Sequence, residues 1–249
     1  MREFLIAYTE VFNYFIVFYL FAYISYLLIA SVVGAIMVIR KKRLEYRHNI
    51  IEHDYFYPIS IIVPMYNESE SGLQCVKNLL NLDFKKYEIV VVDDGSIDNT
   101  KKLIIDTFKM KNEYYRPIQL KIPCAKINEI YHAEVNGVSI TLISKDNAGA
   151  KSDAVNAGIN VSRYGYVVVM DGDEILQSDC LKCASRAFME DDITIAVGGN
   201  IKISNYTQFK DGMPVKREFG KNLLVDIQAL EYSRGFIGAR IFQDFMNCN

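Results

Sequence analysis

The sequence predicts an α/β fold: a mainly parallel sheet with helices on both faces, preceded by one transmembrane helix. Three observations carry this. After Pro58, short apolar runs alternate with stretches of helical spacing, which is the signature of strands joined by crossover helices. Several of those runs hold unbroken apolar stretches, such as "IVVV" and "VVVM", as strands covered on both faces do. Before them, from Val11 to Ile39, no charged residue occurs. That stretch exceeds the roughly 20 residues a helix needs to cross a bilayer, and it is longer than the apolar core of about 7–15 residues in a cleaved leader.

The elements follow in order. Residues 1–43 read as a membrane anchor, closed by the basic run Arg40 to Arg43. Lys and Arg favour the cytoplasmic side, so the N-terminus is expected outside and the remainder in the cytoplasm, giving a single-pass protein of the cell membrane. Residues 44–58 form a polar, aromatic connector. "ISIIVP" (59–64) is a strand and "SGLQCVKNLLNL" (71–82) a helix; "YEIVVVDD" (87–94) is a second strand. "DNTKKLIIDTFKM" (98–110) is a helix with Asp98 as its N-cap. An inserted β-hairpin is expected at about 118–143, because Asn136-Gly137 is a strong tight-turn signal and leads into a strand from 138. A helix at 151–162, a strand at 164–171, a helix at 178–191 and a strand at 193–203 complete the pattern. Residues 59–249 thus form one α/β domain.

Composition narrows the function. A net charge of −2 gives no basic surface for nucleic acid. Five scattered cysteines suggest no disulfide framework. Cys180 and Cys183 form a lone C-x-x-C without the second ligand pair a zinc site needs.

In open α/β sheets, ligands bind beyond the carboxyl ends of the strands. Three strands here end in unusual residues: "VPMYNESE" (63–70), "VVDDGSIDNT" (91–100) and "VVMDGDE" (168–174). All three clusters are expected along one sheet edge. In the last, Asp171 and Asp173 flank Gly172, and two carboxylates held close repel. A divalent cation removes the conflict. Hard oxygens suit Mg²⁺ or Mn²⁺, and Mg²⁺ typically takes one or two carboxylates plus phosphate oxygens. The implied ligand is a diphosphate, with Gly172 expected to let the backbone turn so that both acids face one ion. Lys151, just ahead of a helix, adds an anion site. It is not a P-loop: Ala150 precedes it, and Lys145 stands where the first glycine belongs. Asp93 and Asp94 offer fixed acceptors for a base or ribose.

Taken together, "IIVPMYNE", "VVVDDGSIDNT", "NAGAKSDAVNAGI" and "YVVVMDGDEIL" resemble, in order and spacing, the family 2 glycosyltransferases of the GT-A (Rossmann-like) fold. The resemblance covers about residues 59 to 240. The segment "IQALEYSRGFIGAR" (227–240) resembles membrane-bound bacterial poly-N-acetylglucosamine, hyaluronan and cellulose synthases. The resemblance implies inverting transfer of a sugar from a nucleotide diphosphate, most often UDP, to a hydroxyl of a saccharide or lipid-linked acceptor, in surface polysaccharide synthesis. It implies that Pro64, Tyr66 and Glu68 line the nucleotide, that Asp93 contacts the base and that Asp94 supports that loop. Lys151 then approaches the diphosphate, Asp171 the ribose or diphosphate side together with the metal, and Asp173 the metal. Glu231 and Tyr232 fall near the acceptor.

Departures from the family pattern matter. The downstream catalytic acid in "ED" or "TED" and the Q-x-x-R-W stretch do not occur before Asn249, so a domain incomplete at its C-terminus is expected and no residue is assigned as base. "MEDD" (189–192) lies too close to Asp173 for that role. The alternative reading is a nucleotide-sugar-binding fragment, or a partner subunit of a membrane synthase, with further membrane helices supplied by another chain. A nucleotidyltransferase is disfavoured, since "VPMYNESE" lacks a glycine-rich basic loop.

Overall fold

The computed structural model describes residues 2–48, 56–112, 122–190, 193–210 and 213–237. It divides into two compact units, one of residues 1–53, 200–207 and 217–249, the other of residues 54–199 and 208–216.

In the first unit a single helix, α1, runs Arg2–His48. At about 1.5 Å per residue it is roughly 70 Å long. Its Thr9–Arg40 portion is long and apolar enough to cross a membrane, with mean hydropathy 2.3, and almost none of it is buried. The helix continues past the basic run, so the beginning of the expected connector is helical. The same unit holds α6 (Leu223–Arg234), whose N-cap Asn222 accepts a hydrogen bond from the Leu224 amide. Gly34 of α1 lies against the Ile237 backbone, where a β-carbon would meet the carbonyl oxygen at 2.2 Å.

The second unit is a sheet with helices on both faces. Its elements are β1 (Ile59–Met65), α2 (Ser69–Leu79), β2 (Tyr87–Asp93), α3 (Thr100–Phe108), β3 (Lys111–Asn112), β4 (Ile127–Val135), β5 (Val138–Lys145), α4 (Lys151–Val161), β6 (Tyr166–Val169) and α5 (Cys180–Glu190). The strand order is β3-β4-β5-β2-β1-β6. β5, β2, β1 and β6 are parallel; β4 and β3 run antiparallel at one edge. The residues alternate as a pleated strand requires. Ile61, Val63, Ile89, Val91, Ile140 and Leu142 pack with Val76 and Leu79 of α2, Ile104 of α3 and Leu181 of α5. Ile62, Val90, Val92 and Ile143 pack with Ala154, Ala157 and Val161 of α4. Gly158 allows that close approach, since a β-carbon there would sit 2.5 Å from Ile62 Cγ2.

The expected hairpin forms, with β4 and β5 as its arms. Asn136 and Gly137 both have positive φ, 54° and 81°, as a tight hairpin turn demands. However, β5 is itself a strand of the main sheet and β4 is its antiparallel neighbour, so the hairpin extends the sheet rather than standing apart. Residues 118–121 lie outside the described residues. The expected strand at 193–203 does not form: residues 194–204 carry no regular structure, and Ile195 is 95% exposed. Strand propensity is expressed only against a sheet neighbour, and among the described residues β6 pairs with β1 alone. A two-stranded ribbon, β7 (Thr207–Lys210) with β8 (Met213–Arg217), follows instead.

Candidate functional site

All four parallel strands end at one edge of the sheet, and the loops beyond them are bonded to one another. The Asp94 amide donates to the Met65 carbonyl at 3.0 Å, joining the ends of β2 and β1. Asn67, held at φ 56°, donates its amide to Ser96 Oγ (3.0 Å) and accepts from the Ile97 amide on its side chain (2.9 Å). The Glu68 amide donates to Thr100 Oγ1 at 2.9 Å. The expected Asp98 cap is displaced by one residue: Asn99 is the N-cap of α3 and makes no side-chain cap bond, while Asp98 before it accepts from both the Thr100 amide and hydroxyl. Gly95, at φ 71°, brings this loop onto the β5–α4 loop: a β-carbon there would be 3.0 Å from the Asn147 nitrogen.

The predicted residues distribute along this edge. Pro64 is in β1, opposite Val92 of β2. Tyr66 is 48% exposed at the mouth of the loop. Asp93 is buried, and Ser96 donates its amide to Oδ1 at 3.3 Å. Burial pushes its carboxyl above the usual aspartate range, against the lowering effect of the Ser96 bonds and the Lys101 charge. Asp94 is turned to a buried lysine, Lys145, and forms an ion pair with it.

On the other side of the edge, Lys151 opens α4 and pairs with Asp171, each side chain being half exposed. Asp173 is exposed. Glu68 is drawn into this group. Its Oε2 is buried and has no hydrogen-bond partner. Burial raises its pKa, and Asp173 adds to the rise while Lys151 opposes it. Cys75 lies beneath, its Sγ donating to the Asp171 carbonyl at 3.9 Å; burial pushes its thiol up to about 12, so it stays protonated.

Gly172 lies in a tight turn as expected, the Glu174 amide donating to the Asp171 carbonyl at 3.2 Å, but the turn does not itself require a glycine. It is buried and lacks the positive φ that marks Gly95 and Gly149. What it supplies is room: a β-carbon would meet Glu68 Oε2 at 2.0 Å and Met65 Cγ at 3.1 Å. The glycine between the two aspartates therefore admits a third carboxylate.

Among the described residues no three His, Cys, Asp or Glu side chains are gathered as a metal cage. Of the oxygens present, Asp171 and Asp173 beyond β6 and the unpartnered, buried Glu68 Oε2 beyond the neighbouring β1 are hard donors of the kind a divalent cation takes. Glu231 and Tyr232 are exposed on α6, in the unit that contains α1. Two residues escaped the sequence reading. Lys145 and Asp153 are bonded to each other at 2.8 Å, and a lysine closing an otherwise uncharged strand was the available signal.

The model of the family described as "Glycosyl transferase family 2" matches residues 60–122 and 124–241. Among curated proteins, poly-beta-1,6-N-acetyl-D-glucosamine synthase of Staphylococcus epidermidis is 27% identical over 218 residues, which is 86% of this chain and 43% of that protein. The Staphylococcus aureus synthase is 28% identical over the same length. Glycosyltransferase GlyG of Streptococcus pneumoniae is 26% identical over 140 residues, 56% of this chain and 38% of that one. The chain thus spans less than half the length of these relatives. Among solved structures, S. aureus TarS in complex with UDP-GlcNAc aligns with TM-score 0.40 and 22% identity, over 53% of this chain and 31% of that one. A Pyrobaculum calidifontis mannosyltransferase in complex with GDP-Man and Mn²⁺ aligns with TM-score 0.43 and 19% identity, over 72% and 47%.

Proposed function

The chain belongs to glycosyl transferase family 2, and from that premise we propose that it takes a sugar from a UDP-sugar and passes it, with inversion, to an acceptor hydroxyl in surface polysaccharide synthesis. The observation that carries this reading is the convergence at one sheet edge of a buried acceptor, Asp93, and an anion-binding pair of opposite sign, Lys151 with Asp171. Their chemistry matches the two ends of a nucleoside diphosphate.

Asp93 accepts from the base edge, and its burial makes an unfilled hydrogen bond costly, which favours a donor there. Pro64 and Tyr66 flank the nucleotide. Lys151, at the N-terminus of α4, faces the diphosphate, where its ammonium and the helix's free amides both favour an anion. Asp171 and Asp173 hold Mg²⁺ or Mn²⁺, with Glu68 beside them. When bound, the ion neutralises the diphosphate and acts as a Lewis acid toward the departing UDP. Because Lys151 is paired with Asp171 before the donor arrives, binding exchanges one ion pair for others. The apolar Thr9–Arg40 helix supports a membrane anchor, and the basic run after it supports a cytoplasmic donor site.

Calorimetric titration of the full chain in mild detergent tests this. UDP is expected to bind in the presence of Mn²⁺ or Mg²⁺ and to lose most of that affinity in EDTA or in Asp173→Asn. Indifference to UDP with either ion would refute the reading. Release of UDP from UDP-N-acetylglucosamine, the first donor to try given the names of the staphylococcal relatives, separates transfer from binding alone.

A further inference from the structure

Among the described residues Lys145 is the largest fully buried side chain, and it closes β5 at the edge where the site lies. Burying an ammonium costs several kcal/mol unless it is fully bonded. Here it is. Its three protons have three acceptors: Asp94 Oδ1, Asp153 Oδ2 at 2.8 Å and the Asp146 carbonyl at 2.7 Å. Burial alone would lower its pKa, but the bonds to Asp153 and Asp94 outweigh that and raise it, so the group stays charged.

The partners give this cluster its meaning. Asp94 follows Asp93 on the loop that meets the base. Asp153 lies in the first turn of α4, two residues after Lys151, and also accepts from the Ala125 amide at 2.9 and 3.1 Å. One ammonium therefore clamps the loop at one end of the nucleotide to the helix start at the other. Resting on the donor site argued above, we propose that Lys145 is a positioning residue that fixes the distance between the base-binding loop and the diphosphate-binding end of α4. It touches neither end of the ligand itself. A staple serving stability alone needs no charge there, since an apolar side chain of similar volume is often as stabilising as a buried ion cluster.

The two roles predict different binding. If Lys145 sets a distance, its loss weakens a ligand that spans both ends and spares one that occupies a single end. Lys145→Met leaves the buried Asp94 and the partly buried Asp153 facing one another and is expected to melt early. The informative variant is therefore Lys145→Met with Asp94→Asn and Asp153→Asn, which removes all three charges together. With the full chain in detergent and Mn²⁺ present, calorimetry compares UDP with inorganic pyrophosphate. In the triple variant we expect UDP to weaken about tenfold or more and pyrophosphate by less than about threefold. Unchanged UDP affinity in a variant that merely melts lower would overturn the positioning role, as would equal losses for both ligands. A wild-type chain that binds no UDP would instead remove the donor site, and this role with it.

Discussion

The contact between Glu68 and Gly172 supports a quantitative prediction. Gly172→Ala places a methyl group 2.0 Å from Glu68 Oε2, 3.2 Å from its Cδ and 3.1 Å from Met65 Cγ. An ordinary carbon–oxygen contact is more than an ångström longer than the first of these, so the carboxylate has to leave. Turning a side chain off its rotamer costs about 0.5–1.5 kcal/mol, and overpacking a filled site costs about 1–3 kcal/mol. Because the displaced atom is the unpartnered end of a flexible side chain, the cost stays near the rotamer figure, about 1 kcal/mol, which for a chain of this size lowers Tm by roughly 2–4 °C. Glu68→Ala alone should leave Tm unchanged or raise it, because it removes a buried oxygen that has no partner. In the Glu68→Ala background the clash disappears, and Gly172→Ala should then cost below about 0.5 kcal/mol, the residue being the Met65 contact. Scanning calorimetry of the full chain and its three variants in detergent, with EDTA, reads this cycle. Additivity of the two substitutions within about 0.5 kcal/mol would show that Glu68 does not rest on Gly172.

Asp93→Asn should weaken UDP binding while keeping or raising Tm at neutral pH. The folded carboxyl titrates above its ordinary value because it is buried, so its contribution to stability is present below the ordinary aspartate range and lost as pH rises through the raised value; wild-type UDP affinity should correspondingly fall as pH is lowered through that value. Glu88 serves the fold and not the site. It lies at the far end of the sheet, 1% exposed, and accepts from Ser60 Oγ and the Arg163 amide, both at 2.6 Å. Glu88→Ala should cost about 2–3 kcal/mol by stranding those donors, with UDP affinity of the folded protein unchanged in calorimetry. For the membrane, protease added to spheroplasts should spare the chain after Arg43, and protease added to inside-out vesicles should digest it; the reverse pattern would invert the topology argued from the basic run.

Much of the fold was legible because burial on both faces leaves a compositional trace. "ISIIVP" and "YEIVVVDD" fall on β1 and β2 nearly to the residue, and seven consecutive buried positions in each explain why. The run at 193–203 opens with a similar composition, "ITIAV", but continues into Gly198-Gly199-Asn200 and forms no strand, because apolar content records what a segment offers and not whether a neighbour accepts it. The hairpin was read from Asn136-Gly137, but its place in the sheet depends on β5 pairing with β2, a long-range contact that the turn signal does not contain. The β7–β8 ribbon had its own signal, Asp211-Gly212, between short runs too polar to stand out.

The site was legible in a different way. Charged residues at strand ends are visible because they interrupt apolar runs, and that placed Asp93, Asp171 and Asp173 on one edge before any coordinates. Partnership is not visible. Nothing in "DGD" says that its glycine is a cavity for Glu68, about a hundred residues earlier in the chain. Nothing in "ISKDNAGAKSD" says that Lys145, and not Lys151, is the buried cation, since both precede an aspartate within a few residues. The distinction arises from the sheet: Lys145 ends a strand whose side chains alternate between two covered faces, whereas Lys151 begins a helix that projects beyond the edge. Two lysines six positions apart thus acquire opposite solvation, one half exposed and paired with a single aspartate, the other sealed among three acceptors. Under the proposed donor site the half-exposed lysine can exchange its aspartate for a phosphate, while the sealed one can only hold.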